Sequence, residues 1–169
     1  MRFEIVHEFE IPRDALELAV ISPNLIDKLG KRLPNVEFVE QKTYALVDGV
    51  LERVWAYQAN VNIPTFAKQY VTREMCAWDE RSVYTIKTHS SAWSIRPHVK
   101  PEWQKYFVAS GTYELVDTAN GTTKRVVKGE LELRVPRVMK QLGERMIVAE
   151  VKKTFEAEAA TLRDLATLT

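Results

Sequence analysis

The spacing of apolar and polar positions changes along the chain, and the changes mark its elements. In "RFEIVHEF" (2–9), Phe3, Ile5 and His7 share one face and Glu4, Val6 and Glu8 the other, the period of a strand. "IPRDALELAVIS" and "SPNLIDKLGKRL" read as two short helices, the second opened by Ser22-Pro23 and stopped by Pro34. Strands then come in pairs. Residues 35–47 and 50–60 flank Asp48-Gly49, a strong hairpin signal. Residues 71–79 and 82–91 flank an expected tight turn at Glu80-Arg81, and 105–117 and 123–134 flank "TANGT". Residues 134–166 predict one long helix carrying two apolar stripes. At about 100° per residue, Val138, Met139, Leu142, Met146 and Ala149 fall on one face. Val148, Val151, Phe155, Ala159, Leu162 and Ala166 fall on another. Either the helix kinks near Gly143 and brings both stripes onto one core, or it runs straight and its first stripe meets loops, a dimer partner or a membrane.

The order is strand, two helices, six antiparallel strands and a long helix. It predicts a single α+β domain over 1–169, with a curved antiparallel seven-stranded sheet and the helices grouped on one side of it. With neighbouring strands antiparallel, the three tight turns lie at one end of the sheet. The long connections 61–70 and 92–104, and the start of the last helix, lie at the other. Connections of that length are where function concentrates.

Composition narrows the class. A chain of 169 residues, 46% hydrophobic, can bury roughly 70% of its unfolded surface around one core. The net charge of +1, from 24 basic and 23 acidic residues, sets up no global field for nucleic acid. A lone Cys76 excludes an internal disulfide, and neither a signal-like start nor a spanning apolar run is visible, so a cytoplasmic protein is expected. His7, His89 and His98 are scattered, and no nucleophile motif, P-loop or dinucleotide fingerprint occurs. No catalytic residue, metal or cofactor is expected.

The elaborated end is locally basic and aromatic. "NIPTFAKQY" spaces Ile63, Phe66, Ala67 and Tyr70 as a short amphipathic helix after Pro64. "SAWSIRPHVKPEW" interleaves Trp93, Ile95 and Trp103 with Arg96, His98 and Lys100, and the long helix begins with Arg137 and Lys140. One reading makes Ile63, Phe66, Tyr70, Trp93, Ile95, Trp103 and Met139 a gated mouth, with Arg96, Lys100, Arg137 and Lys140 as contacts for an anionic group or surface. In the other, the aromatics pack the loops down and the cations are a solvated rim.

The last hairpin supplies a wall. Phe107, Ala109, Gly111 and Tyr113 share a face with Gly129, Leu131 and Leu133, and symmetric pairing sets Gly111 opposite Gly129 and Ala109 opposite Leu131. Opposed glycines signal curvature or close approach of another group. The space they leave either holds a ligand, with Leu142 and Met146 of the helix as its other side, or is filled by Phe155 or a neighbour. In the hairpin 35–60, Phe38, Tyr44, Trp55 and Tyr57 accompany Lys42 and Arg53, a face read as outward. Turned inward, Arg53 or Lys42 would pair with a ligand carboxylate or phosphate.

Three stretches carry a resemblance: "MRFEIVHEF", "NIPTFAKQYVTREMCAWDE" and "VKGELELRVPRVMKQLGERM". With the element order, they resemble the START-like, or helix-grip, superfamily of polyketide cyclases and birch-pollen-allergen-like proteins. Within it they resemble an uncharacterised bacterial family. More loosely, the segment after Pro64 is similar to the lid region of PRELI-type phospholipid transfer proteins. The resemblance implies a cavity between sheet and helix that holds an apolar small molecule or lipid, but it implies no reaction. The expected function is non-catalytic binding or transport of such a molecule, with a transient membrane-surface contact. One alternative is a cyclase- or hydrolase-type enzyme using Tyr113, Tyr84, Arg53 or His89. Another is a homodimeric module joined through the first helical stripe and Trp93.

Overall fold

The computed structural model describes residues 1–33, 35–60, 76–134 and 137–167, with the side chains of Trp103, Val138, Met139 and Leu142 outside the description. Strand β1 (Arg2–Phe9) is followed by helices α1 (Arg13–Val20) and α2 (Leu25–Gly30). Strands β2 (Val36–Val47), β3 (Val50–Ala59), β4 (Ala77–Thr85) and β5 (Ser90–Pro97) come next. A single turn of helix, α3 (Pro101–Gln104), precedes β6 (Phe107–Asp117) and β7 (Thr123–Leu133), and α4 (Arg137–Ala166) closes the chain. The strands form one antiparallel sheet in the order β1-β7-β6-β5-β4-β3-β2. It curves partly around α4, which comes nearest to β7 and β1 and packs along α1 and α2.

Two hairpins form as their turn residues dictate. Asp48 and Gly49 both take positive φ, 49° and 75°, as a two-residue hairpin turn requires. Gly111 pairs with Gly129 and Ala109 with Leu131, the register predicted for the last hairpin. The middle hairpin differs from expectation. Glu80 and Arg81 lie within β4, and the chain turns instead through the 3₁₀ segment Ile86–Thr88, with His89 in the left-handed region at φ 50°. "IKTHS" contains no glycine to announce a turn; histidine is among the side chains that tolerate this conformation best. Moving the turn carries β5 on to Pro97, so residues 92–97 of the expected loop 92–104 are strand.

The shift sends Trp78, Glu80, Ser82 and Tyr84 to the inner face and leaves Arg81 outside, where its guanidinium donates to Glu52 at 2.7 and 2.9 Å. In β2, a register shift between Gln41 and Thr43 changes the phase of the alternation. Tyr44 therefore faces in, donating to Ile21 O at 2.6 Å, while Phe38 and Lys42 are exposed. Arg53, Trp55 and Tyr57, read as outward, are buried on the inner face.

Helix α4 is continuous and buries one face, running from Glu144 through Val148, Phe155, Ala159 and Leu162 to Ala166. Ile147 and Val151 flank that face, half-buried. Met146, placed in the cavity set, is 63% exposed, and Ala149 is exposed as well. The polar Glu144 takes the inward position because its carboxylate accepts Leu133 N–H at 3.1 Å. Beside it Gly143 lies so close to the sheet that an added Cβ would come within 2.8 Å of Leu133 Cδ1.

Candidate functional site

The inner face of the sheet is organised in rows that cross the strands. Nearest the tight-turn end, Leu115, Arg125 and His7 align across β6, β7 and β1. The next row runs Leu51, Tyr84, Ser91, Tyr113, Val127, Ile5, and the third runs Arg53, Ser82, Trp93, Gly111, Gly129, Phe3. The fourth is Trp55, Glu80, Ile95, Ala109, Leu131, with Tyr57, Trp78, Phe107 and Leu133 beyond it. Trp55, Tyr57 and Leu131 stay buried in the last rows, but the partly open residues collect there. Leu51, Tyr84, Leu115 and Thr123 are wholly inside, whereas Trp78, Glu80, Ile95, Phe107 and Leu133 keep part of their surface open. The inner face is sealed at the tight-turn end and accessible at the other.

Its two facing glycines are not ligand space. An added Cβ on Gly111 would lie 2.6 Å from the Trp93 indole, and one on Gly129 2.3 Å from the Phe3 ring and 2.8 Å from Trp93. The pit is filled by rings of the chain itself, with Trp93 edge-on to Phe155 of α4 at 5.6 Å. Trp93, expected at the mouth, is therefore 4% exposed in the middle of the sheet. Ile95, also expected there, is half-buried on the same strand.

A set of polar groups lies among these aromatics. Arg125 donates to Glu158 at 2.7 Å and to Phe155 O at 3.0 Å, and its guanidinium lies 5.6 Å from the Tyr113 ring. Arg53 donates to Val20 O at 2.7 Å and sits over the Trp55 ring at 4.4 Å. Burial pushes the Glu80 carboxyl up to about 7, with Glu158 adding to the rise and Arg53 and Arg125 opposing it. Burial likewise raises Tyr113 to about 12 and holds Tyr57 well above the usual tyrosine range. His7 is held below the usual histidine value by burial and by Arg125. At the sealed end, Glu17 accepts from Tyr84 Oη at 2.6 Å and has His89 Nδ1 at 2.9 Å.

Among the described residues, five buried polar atoms of the inner face have no hydrogen-bond partner: His7 Nε2, which has a Glu156 carboxylate oxygen at 3.2 Å, and the four atoms Tyr57 Oη, Trp93 Nε1, Tyr113 Oη and Arg125 Nε. Each such group costs about 1–3 kcal/mol when nothing pairs with it. Four together approach the whole stability of an ordinary domain, about 5–15 kcal/mol. Native proteins satisfy such groups with ordered water or a ligand.

The other expected residues fall in three places. Phe107, Ala109, Gly111, Tyr113, Gly129, Leu131 and Leu133 share the inner face. Arg96, Lys100 and Arg137 are exposed, and Lys140 lies 3.9 Å from Glu144. Ile63, Phe66 and Tyr70 lie outside the described residues, as do the side chains of Trp103, Met139 and Leu142. Among the described residues, no group of three or more His, Cys, Asp or Glu side chains is arranged to hold a metal ion, and no helix is long and apolar enough to cross a membrane.

Sequence reasoning missed Glu80, Arg125, Glu158 and the inward turn of Arg53. Arg125 was legible, since it shares parity with Val127, Gly129 and Leu131. Glu158 likewise follows Phe155 at helical spacing.

A curved antiparallel sheet gripping a long C-terminal helix, with two short helices after the first strand, is the START-like helix-grip fold. The chain belongs to the family described as "Protein of unknown function (DUF2505)", which matches residues 4–165. Solved structures share the fold at low identity. TTHA0849 from Thermus thermophilus superposes with TM-score 0.63 at 14% identity, covering 99% of this chain and 98% of that one. Zhui aromatase/cyclase from Streptomyces sp. R1128 gives 0.64 at 14%, covering 99% and 93%. Ara h 8.0201 gives 0.61 at 13%, covering 96% and 97%. A sequence search of curated proteins finds no match.

Proposed function

We propose that this protein binds an apolar small molecule or lipid between the inner face of the sheet and α4, without transforming it. The observation that carries the reading is the set of four unpartnered polar atoms on Tyr57, Trp93, Tyr113 and Arg125, set among aromatic walls on a face that is more accessible at one end. An apolar ligand with one polar end satisfies both features, its body against Trp78, Ile95 and Phe107 and its polar end deeper. Ligand entry is at the end carrying the exposed Arg96, Lys100 and Arg137, which suit a transient contact with an anionic membrane surface in the cytoplasm. Native mass spectrometry of the purified protein, followed by organic extraction, tests the reading. The expected result is a stoichiometric released molecule of apolar character. Bare protein whose inner-face amides never open in hydrogen exchange overturns it.

An enzyme of the cyclase or hydrolase type is favoured by one observation. A carboxyl titrating near 7, Glu80, shares the inner face with the unpartnered Tyr113 hydroxyl, and such a carboxyl suits proton transfer. Chemical conversion of the extracted molecule on incubation with the protein, lost in Glu80→Gln, selects this reading over simple binding.

A further inference from the structure

Resting on the binding site above, we propose that its ligand is an apolar carboxylic acid whose carboxylate sits against Arg53, and that binding is accompanied by proton uptake on Glu80. The two buried guanidiniums differ in their partners. Arg125 has a carboxylate, Glu158, at 2.7 Å. Arg53 is as deeply placed, 2% exposed, yet its partners are neutral: Val20 O at 2.7 Å, Ser82 Oγ at 3.4 Å and the Trp55 ring. Among the described residues, no carboxylate lies within ion-pair distance of it. A guanidinium cannot shed its proton, so a buried one without an anion beside it carries a desolvation cost that neutral partners offset only in part. Its Nε and one Nη1 proton are engaged, which leaves three N–H groups, a number suited to a carboxylate.

Glu80 is the chain's own candidate for that charge. It stands on β4 two residues from Ser82, the cross-strand partner of Arg53, which makes it a diagonal neighbour. The titratable and charged groups around it are Arg53 and Tyr57 on β3, Tyr113 on β6, Arg125 on β7 and Glu158 on α4; β5 contributes only Trp93 and Ile95. With Glu80 neutral, the interior holds Arg53 and Arg125 against Glu158, one positive charge in excess, and a ligand carboxylate balances it. With Glu80 ionised, the same ligand brings one negative charge too many. Its carboxyl near 7 places both states within reach at neutral pH. An entering carboxylate therefore drives Glu80 to its protonated form.

Isothermal titration tests this with two matched pairs, dodecanoate against dodecanol and 2-naphthoate against 2-naphthylmethanol, at pH 6.5 and 8.5. At pH 6.5 the acids are expected to bind at least ten times more tightly than the alcohols. At pH 8.5 that preference falls at least fivefold, while alcohol binding stays constant. Titrations at pH 7 in phosphate and in Tris, whose ionisation enthalpies differ, should show uptake of about half a proton per acid bound. Glu80→Gln is expected to keep the acid preference at both pH values with no uptake, and Arg53→Gln to erase the preference. Equal binding of acid and alcohol overturns the proposal and leaves the apolar-site reading standing. An acid preference without proton uptake overturns the role of Glu80. Failure of every probe to bind overturns the apolar-site reading and this inference together.

Discussion

At Gly111 and Gly129 the backbone gives up its side chains so that two aromatic rings can lie against the sheet. The two sites differ in what stands in the way of a methyl group. At Gly111 it is the Lys128 carbonyl oxygen, 2.0 Å from the added Cβ, and at Gly129 it is the ends of Phe3 and Trp93. Side chains yield more readily than paired backbone, so Gly111→Ala should cost more than Gly129→Ala. Losses of about 3 and about 1–2 kcal/mol are expected in urea unfolding. The buried pair of Arg125 and Glu158 carries a different expectation. Removing one partner strands the other charge, so Glu158→Gln should lose about 3–5 kcal/mol, whereas Arg125→Met with Glu158→Leu should lose less than that single change. A double-mutant cycle measures the difference.

At the scale of the element, α4 shows how far a hydrophobic pattern can mislead. Met146 projects into solvent, while Glu144 holds the inward place because it supplies an acceptor to Leu133 N–H. Met146→Glu should therefore leave stability within about 0.5 kcal/mol, whereas Val148→Glu should lower the thermal midpoint sharply by burying a charge without a partner. Circular dichroism melts of the two variants separate the exposed stripe from the buried one. Much of the element order was legible because a two-residue turn such as Asp48-Gly49 and a period-2 alternation are local properties. The β4–β5 turn was not, because Asp79, Glu80 and Arg81 look like a turn in isolation. In the sheet Asp79 and Arg81 face out, with Asp79 2.8 Å from Lys42, while Glu80 faces in.

For the molecule as a whole, the pH dependence of stability follows from its interior charges. Glu80 titrates near 7 when folded and near the ordinary carboxylate value when unfolded, so between about 4.5 and 7 the folded state binds more protons. Its contribution is fully present below that window and is lost as pH rises through it, on the order of 3 kcal/mol. His7 works in the opposite sense: its lowered value favours the unfolded chain as pH falls below about 6.5. Glu80→Gln isolates the first effect. The variant should be more stable than the parent at pH 8 and nearly equal to it at pH 4.5, as read by chemical denaturation at both values.

The order of elements, the inward stripe of β6 and β7 and the glycine register came from the sequence alone, because alternation, turn chemistry and helical period act between residues a few positions apart. The tertiary structure decided which charges are inside. A one-residue shift in β2 sent Phe38 out and Tyr44 in, and the turn at Ile86–His89 put Glu80 among Arg53, Tyr57 and Arg125. Desolvation and charge pairing depend on groups brought together from β1, β3, β4, β6, β7 and α4, and no local pattern encodes that convergence.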